Sequence, residues 1–249
     1  VEKRVVEFAR VECVPAEFAG RILGSKAWGR VRRFKTISPL LLMGGMGLMA
    51  WGGILVQKST DERDAAKLPW AIALGVIGFL SLGVAFMASR RNTWLRRIAL
   101  SELRRRPGKI VDPDTVSALF VEIVPKSNWS QETLPENATD VGFLRIDPEG
   151  RQLLFEGEFM RYQIPAGAIT KCEQDFYTRL FRISGGSSLV YFHFVVVTAS
   201  FSPDQTVELP FRLRRNVSLL SDEKARAANY HLYQQIDSLR KNEVPGARH

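Results

Sequence analysis

Sulfur and imidazole are scarce in this chain: two cysteines, Cys13 and Cys172, and three histidines, His193, His231 and His249, in 249 residues. No pair of them, and no pair of carboxylates, has the spacing of a metal site, and the two thiols read as reduced and structural. A phosphate-cradling glycine loop, a dinucleotide fingerprint and a nucleophile elbow are all missing. No cofactor, metal or catalytic residue is therefore expected, and the chain reads as one that binds rather than one that catalyses. Glu156 and Glu158 flank Gly157. That spacing can put two carboxylates on one strand face, as an acid–base pair needs, but a solvated polar face explains it more simply. His193, set among Tyr191, Phe192 and Phe194, reads as a structural histidine rather than a ligand.

Charge is missing from two long stretches. Residues 37–56 and 68–88 contain no Asp, Glu, Lys, Arg or His. Helices of about twenty residues cross a hydrocarbon core of roughly 30 Å, so a transmembrane hairpin over 37–88 is expected, with a connecting loop at 57–67. The net charge of +9 is unevenly spread: +5 over 1–38, zero over 57–68, +7 over 89–109 and −3 from 110 onward. Cations flank spans on the cytoplasmic side. Both termini are accordingly expected in the cytoplasm, in a plasma or inner membrane. The triplets beginning at Asn128, Asn137 and Asn216 would suit the reverse orientation, but the charge asymmetry outweighs them. No removable signal peptide is expected, since no small-residue cleavage site follows the first run.

The flanks and spans suggest two kinds of contact. Residues 1–36 form an arm whose positions 4–14 alternate like a strand able to join a later sheet. From Pro15 to Phe34 the pattern turns helical, and Arg32, Arg33 and Lys35 crowd its end. The neck, 89–109, is basic: Arg90, Arg91, Arg96 and Arg97, then Arg104, Arg105 and Arg106. Cations so placed suit an anionic lipid surface, each worth about 1 kcal/mol near a charged leaflet. Nucleic acid is the weaker partner, because aromatic stacking platforms are absent and the following domain is acidic. Between the spans, Gly44, Gly45 and Gly52 on the first run and Ala71, Gly75, Gly78 and Ala85 on the second form small-residue faces that allow helices to pack closely. A surplus glycine face also suits a second copy or another membrane protein. Ser81 is the one conspicuous hydroxyl well inside the second run.

From residue 110 the apolar period changes to two. Strands are expected at 118–125, 141–147, 152–164 with a kink near Gly157, 168–175, 178–184, 189–201 and 206–214, divided by turn residues. Pro210 implies that the last strand lies at an edge or carries a bulge. An amphipathic helix follows, with Ser221 as N-cap and Ala225, Ala228, Leu232, Ile236 and Leu239 as its apolar stripe. The expected fold class is α+β: a two-helix transmembrane hairpin, then a small antiparallel barrel or sandwich of about seven strands capped by a helix over 110–241, with a tail at 242–249.

Two runs, a basic neck and this β-domain resemble bacterial membrane proteins carrying a pleckstrin-homology-like domain. The segment from Leu153 to Glu173, with its Ile164-Pro165 turn, is similar to the strand–turn–strand of that family, and the terminal helix sits where theirs does. The resemblance implies a binding or scaffolding module facing a protein partner. Lipid-reading relatives carry several cations around the first hairpin, whereas here Arg145 and Arg151 stand beside Asp147 and Glu149. Phosphoinositide recognition is therefore not expected. The alternatives are an auxiliary subunit of a transporter or channel, and a tethered enzyme lacking any recognisable motif.

Overall fold

The computed structural model describes residues 7–61, 68–89, 91–130, 137–183, 186–214 and 222–241. The chain divides into two compact units, 24–95 and 1–23 together with 96–249. The expected N-cap Ser221, residues 62–67 of the expected connecting loop, Arg90 and the tail lie outside the described residues, while residues 57–61 of that loop are helical. So do the side chains of Arg32, Lys35, Ala85 and Arg91.

The first unit holds α1 (Lys26–Asp61), α2 (Leu68–Ser89) and the opening of α3 (Arg91–Arg104). Ser25 caps α1, its Oγ accepting the N–H of Trp28 at 2.9 Å. The small residues let α1 and α2 approach closely. A Cβ added at Gly45 would lie 2.9 Å from the Gly78 carbonyl oxygen, and one at Gly52 would lie 3.1 Å from that of Ala71. Gly44, Gly47, Gly53 and Gly75 meet nothing within 4 Å. Large apolar side chains such as Trp70 and Phe79 stay exposed. Ser81 turns its hydroxyl back onto the Ile77 carbonyl at 2.8 Å, so its polarity is satisfied within its own helix.

The expectation of a transmembrane hairpin is overturned. Among the described residues no helix is long and apolar enough to cross a membrane. Helix α1 opens on Lys26, Arg30 and Arg33, and its apolar stretch carries Gly44, Gly45, Gly47, Gly52 and Gly53, which add no apolar side chain. The expected fold class, the membrane and transmembrane description, and the placement across a plasma or inner membrane with both termini cytoplasmic lose their support together.

The second unit is built on one antiparallel sheet of eight strands. They are β1 (Arg10–Cys13), β2 (Leu119–Ile123), β3 (Asp140–Asp147), β4 (Gln152–Gly157), β5 (Met160–Pro165), β6 (Ile169–Ile183), β7 (Gly186–Ser202) and β8 (Gln205–Leu213). Their spatial order is β1-β5-β4-β3-β2-β8-β7-β6. The sheet curls, and the Ala9 N–H, just before β1, donates to the Ser200 carbonyl on β7 at 2.8 Å. Helix α4 (Asp222–Lys241) packs on the sheet against β6, β7 and β8, and its Leu232, Ile236 and Leu239 share one buried cluster with Phe155, Val195, Val197 and Phe211. A smaller cluster gathers Val124, Trp129, Phe194 and Val196, with the Trp129 and Phe194 rings stacked at 4.2 Å.

Eight strands replace the seven expected, for three local reasons. The stretch 152–164 is two strands, since the chain reverses at Glu158-Phe159 and β4 pairs with β5. The segments 168–175 and 178–184 are one strand, β6, continuous through Phe176. The arm supplies the eighth, with β1 pairing β5 from Arg10↔Gln163 to Cys13↔Met160. Pro210 lies inside the sheet yet costs little. The β2–β8 register ends at Ile123↔Phe211, and Pro210 contributes only its carbonyl, which accepts the Val124 N–H at 3.1 Å.

Candidate functional site

Two polar sites stand out in the β-sheet unit. One is a buried charge cluster where β4 turns into β5. The Asp140 carboxylate, at the start of β3, accepts the N–H groups of Val141 (2.7 Å), Glu158 (2.6 Å), Phe159 (3.2 Å) and Met160 (2.9 Å). Burial pushes its carboxyl up to about 7, against the pull of those four donors. Glu158 accepts the N–H groups of Ile22 at 2.7 Å and Leu23 at 3.0 Å, fastening the arm. Its carboxyl is also raised by burial.

Arg106 fills the space between these acids. Its guanidinium donates to the carbonyls of Gly157 (2.6 Å), Phe18 (3.2 Å) and Glu158 (3.3 Å) and lies 3.6 Å from Glu156. Burial lowers its pKa, opposed chiefly by Glu156. Glu156 is held besides by Arg161 at 2.9 Å and the Ile110 N–H at 3.0 Å. A second buried group joins Glu122 of β2 to Arg212 and Arg214. The solvated polar face expected of Glu156 and Glu158 is therefore absent: both are fully buried. Every oxygen of Asp140, Glu156 and Glu158 has a donor or cation. The cluster is a clamp joining the arm, the chain at 106–110 and the β4–β5 turn.

The other site is open. A groove of about 1170 Å³ runs between α4 and the β3–β4 hairpin. Leu119, Ile146, Leu213 and Leu232 supply its apolar surface. On α4, His231, Gln235 and Ser238 follow one another at helical spacing along the groove. The hairpin brings Arg145, Asp147, Glu149 and Arg151 to it. Asp147 stays below the usual carboxylate range because Gln152 Nε2 donates to it at 3.2 Å, helped by the Gly150 N–H at 3.2 Å. Arg151 has φ of 47°, the only positive φ among non-glycine residues described. Glycine holds that conformation more easily, so the backbone carries strain of about 1 kcal/mol or more while presenting an arginine at the groove.

Arg96, Arg97 and Arg105 are exposed on or just after α3, while Arg104 forks onto Asp114 at 2.8 and 3.0 Å. Arg106 is buried in the clamp, and Arg33 is exposed on α1. Of the small residues, Gly45, Gly52, Ala71 and Gly78 come together between α1 and α2. Gly44 is exposed and Gly75 half-buried, and a side chain on either would meet nothing. His193 is half-buried with its ring over Tyr191, centroids 6.4 Å apart. Among the described residues no three His, Cys, Asp or Glu side chains are grouped to hold a metal ion.

The sheet and its helix make a β-rich unit with an apolar groove rimmed by charges of both signs. Compared with family models, known proteins and solved structures, the chain matches none.

Proposed function

We propose that this protein is a binding or scaffold protein and that its β-sheet unit is a pleckstrin-homology-like module taking a segment of a partner protein. Leaving out β1, the strand order runs 5-4-3-2-8-7-6 with a terminal helix on the sheet, an arrangement that supports the likeness. The observation that carries the reading is the groove beside α4. Its apolar surface suits side chains such as Leu or Phe, and its volume lies at or above the usual range of ligand clefts. Its rim sets Arg145 and Arg151 against Asp147 and Glu149. A polyanion gains little from such a rim, whereas a polypeptide with mixed charges finds a counterpart for each sign. The strained Arg151 fits this use, since strain that stability does not require marks a position kept for contact.

Photocrosslinking tests the reading. A benzophenone amino acid replaces Ser117 or Ser238 at the groove, or Ser101 on α3 as a control, in cells making the full chain. One discrete protein adduct is expected from both groove positions, lost when Arg151→Glu is added and absent from the control. No adduct at the groove, or the same adduct from Ser101, refutes the proposal.

A further inference from the structure

Strand β6 is the outer strand of the sheet, fifteen residues long, and among the described residues it pairs with β7 alone. Its register with β7 runs without irregularity from Lys171↔Thr198 to Ile183↔Gly186. Long, straight, unpaired edges invite another strand, and proteins usually blunt them with proline, bulges or a covering element. No proline lies between Ile169 and Ile183, and the one register shift is at the far end, between Ile169 and Lys171. The Phe176 N–H is taken up at 2.8 Å by the carboxylate of its own neighbour, Asp175. Backbone groups alternate sides along a strand, so those of Gln174, Thr178 and Leu180 face outward with that of Phe176.

The side chains beside this edge are also open. Paired residues share a face, which sets Phe176 with His193, Thr178 with Tyr191 and Leu180 with Leu189. On that face Phe176 is 59%, Leu180 51%, Leu189 56% and Tyr191 39% exposed. The opposite face is occupied, with Tyr177 and Phe192 packing on the Trp129–Phe194 cluster. An apolar ladder and an edge with no strand partner among the described residues thus lie side by side on one ribbon.

We propose that the occupant is a second copy of this chain, β6 pairing antiparallel with β6 about a two-fold axis through Tyr177. Charge selects this partner and this register. Rotation about Tyr177 sets Asp175 opposite Arg179 of the other copy, twice, while Glu173 falls opposite Phe181 and Lys171 opposite Ile183. No like charges meet. Phe176 falls opposite Thr178, and Leu180 opposite Gln174, so the outward N–H and C=O groups of four residues per copy form about eight new hydrogen bonds. The Phe176 N–H exchanges the Asp175 carboxylate for the Thr178 carbonyl of the other copy. Asp175, which also lies 3.6 Å from Lys126 Nζ, then turns to Arg179. The two exposed ladders join into one strip across the axis. The interface is isologous and closes at two copies, leaving no free β6 edge. It is independent of the groove beside α4.

A charge-swap series on the full chain tests it, by sedimentation equilibrium in a mild detergent that masks the exposed apolar faces of α1 and α2. The unaltered chain should be dimeric. Arg179→Asp and Asp175→Arg each place like charges face to face twice and should raise the dissociation constant at least tenfold. The double variant D175R/R179D should return it to within about threefold. Cysteine crosslinking supplies a second measurement, made in a Cys13→Ser background. Residues on the axis form a non-hydrogen-bonded pair with Cα atoms about 4.5 Å apart, within disulfide reach. Tyr177→Cys should therefore give a covalent dimer on mild oxidation, and Thr170→Cys should not. A monomeric parent chain, single variants that dimerise unchanged, a double variant that fails to recover, or an uncrosslinked Tyr177→Cys would each overturn the proposal.

Discussion

Arg106 is the side chain on which the clamp at the β4–β5 turn should depend most. Replacing it with methionine keeps much of its length and removes three donated hydrogen bonds, to Gly157, Phe18 and Glu158. It also removes one of the two cations beside Glu156. Breaking a buried ion pair by deleting one partner costs about 3–5 kcal/mol, because the other charge stays buried. Two features here hold the cost near the lower end. Glu156 keeps Arg161 at 2.9 Å and the Ile110 N–H at 3.0 Å, and methionine no longer carries the desolvation cost that lowers the pKa of Arg106. The expected loss is about 3 kcal/mol, roughly a hundredfold in the opening equilibrium. Hydrogen exchange by mass spectrometry reads it directly at Ile22 and Leu23, the amides held by Glu158, and along β4 and β5. Arg106→Lys keeps the charge without the fork and should fall between. A loss below about 1 kcal/mol in Arg106→Met, or an effect that spares Ile22 and Leu23, would refute the reasoning.

Three other perturbations follow from the same geometry. Folding raises the Asp140 carboxyl from its ordinary 3.8 to about 7, so the folded state holds that proton more tightly. The resulting stabilisation, on the order of a few kcal/mol, is complete below about pH 4 and lost as pH rises through 7. Urea titrations from pH 4 to 8 should show this fall in the parent and a flatter profile in Asp140→Asn; stability that rises over this range in the parent would mean that the four backbone donors outweigh burial. In the helical unit, Gly45→Val drives a side chain into the Gly78 backbone and should weaken the α1–α2 pair by about 1–3 kcal/mol. Gly44→Ala meets nothing and should stabilise by up to about 1 kcal/mol, both read by thermal circular dichroism in mild detergent. Arg151→Gly should relieve the strained φ of 47° and stabilise the β-sheet unit by about 1 kcal/mol while weakening groove crosslinking. Equal or lower stability would remove the case for strain there.

The strands were legible where one face is apolar and the other polar. Val207, Leu209, Phe211 and Leu213 alternate, and β8 runs over Gln205–Leu213 as that pattern implies. Legibility failed where a local signal had two structural solutions. In the sequence Gly157 implies a kink, but it sits where a Cβ would collide with the Asp140 carboxylate and come within 2.6 Å of the Met160 carbonyl, so it permits a reversal. Residues 176 and 177 carried no special signal, and β6 simply continues through them. The uncharged runs are indeed helical, yet among the described residues neither helix is long and apolar enough to cross a membrane. The groove was half legible. Arg145 and Arg151 were visible as a hairpin pair, whereas the His231, Gln235 and Ser238 face of α4 acquires meaning only from packing.

The clamp was the least legible part, and its residues explain why. Glu156 and Glu158 read as surface because carboxylates are almost never fully buried unless paired, and their partners lie far away in the chain. Ile22 is 136 residues from Glu158, and Arg106 is 51 from Gly157. No local spacing encodes such pairs. The clamp also has a task that apolar packing alone serves poorly. The arm, residues 1–23, is separated from its sheet by the whole helical unit at 24–95. Closing a flexible loop of about seventy residues costs roughly 4 kcal/mol in chain entropy. The four-residue β1 pairs with β5 and is exposed at every position, so its side chains bury little to offset that cost. The buried carboxylate of Glu158 on Ile22 and Leu23, and the Arg106 guanidinium on Phe18, supply directional contacts that hold the arm in one register. The β-sheet unit should therefore open first at its arm, with exchange at Arg10–Cys13 faster than along β4.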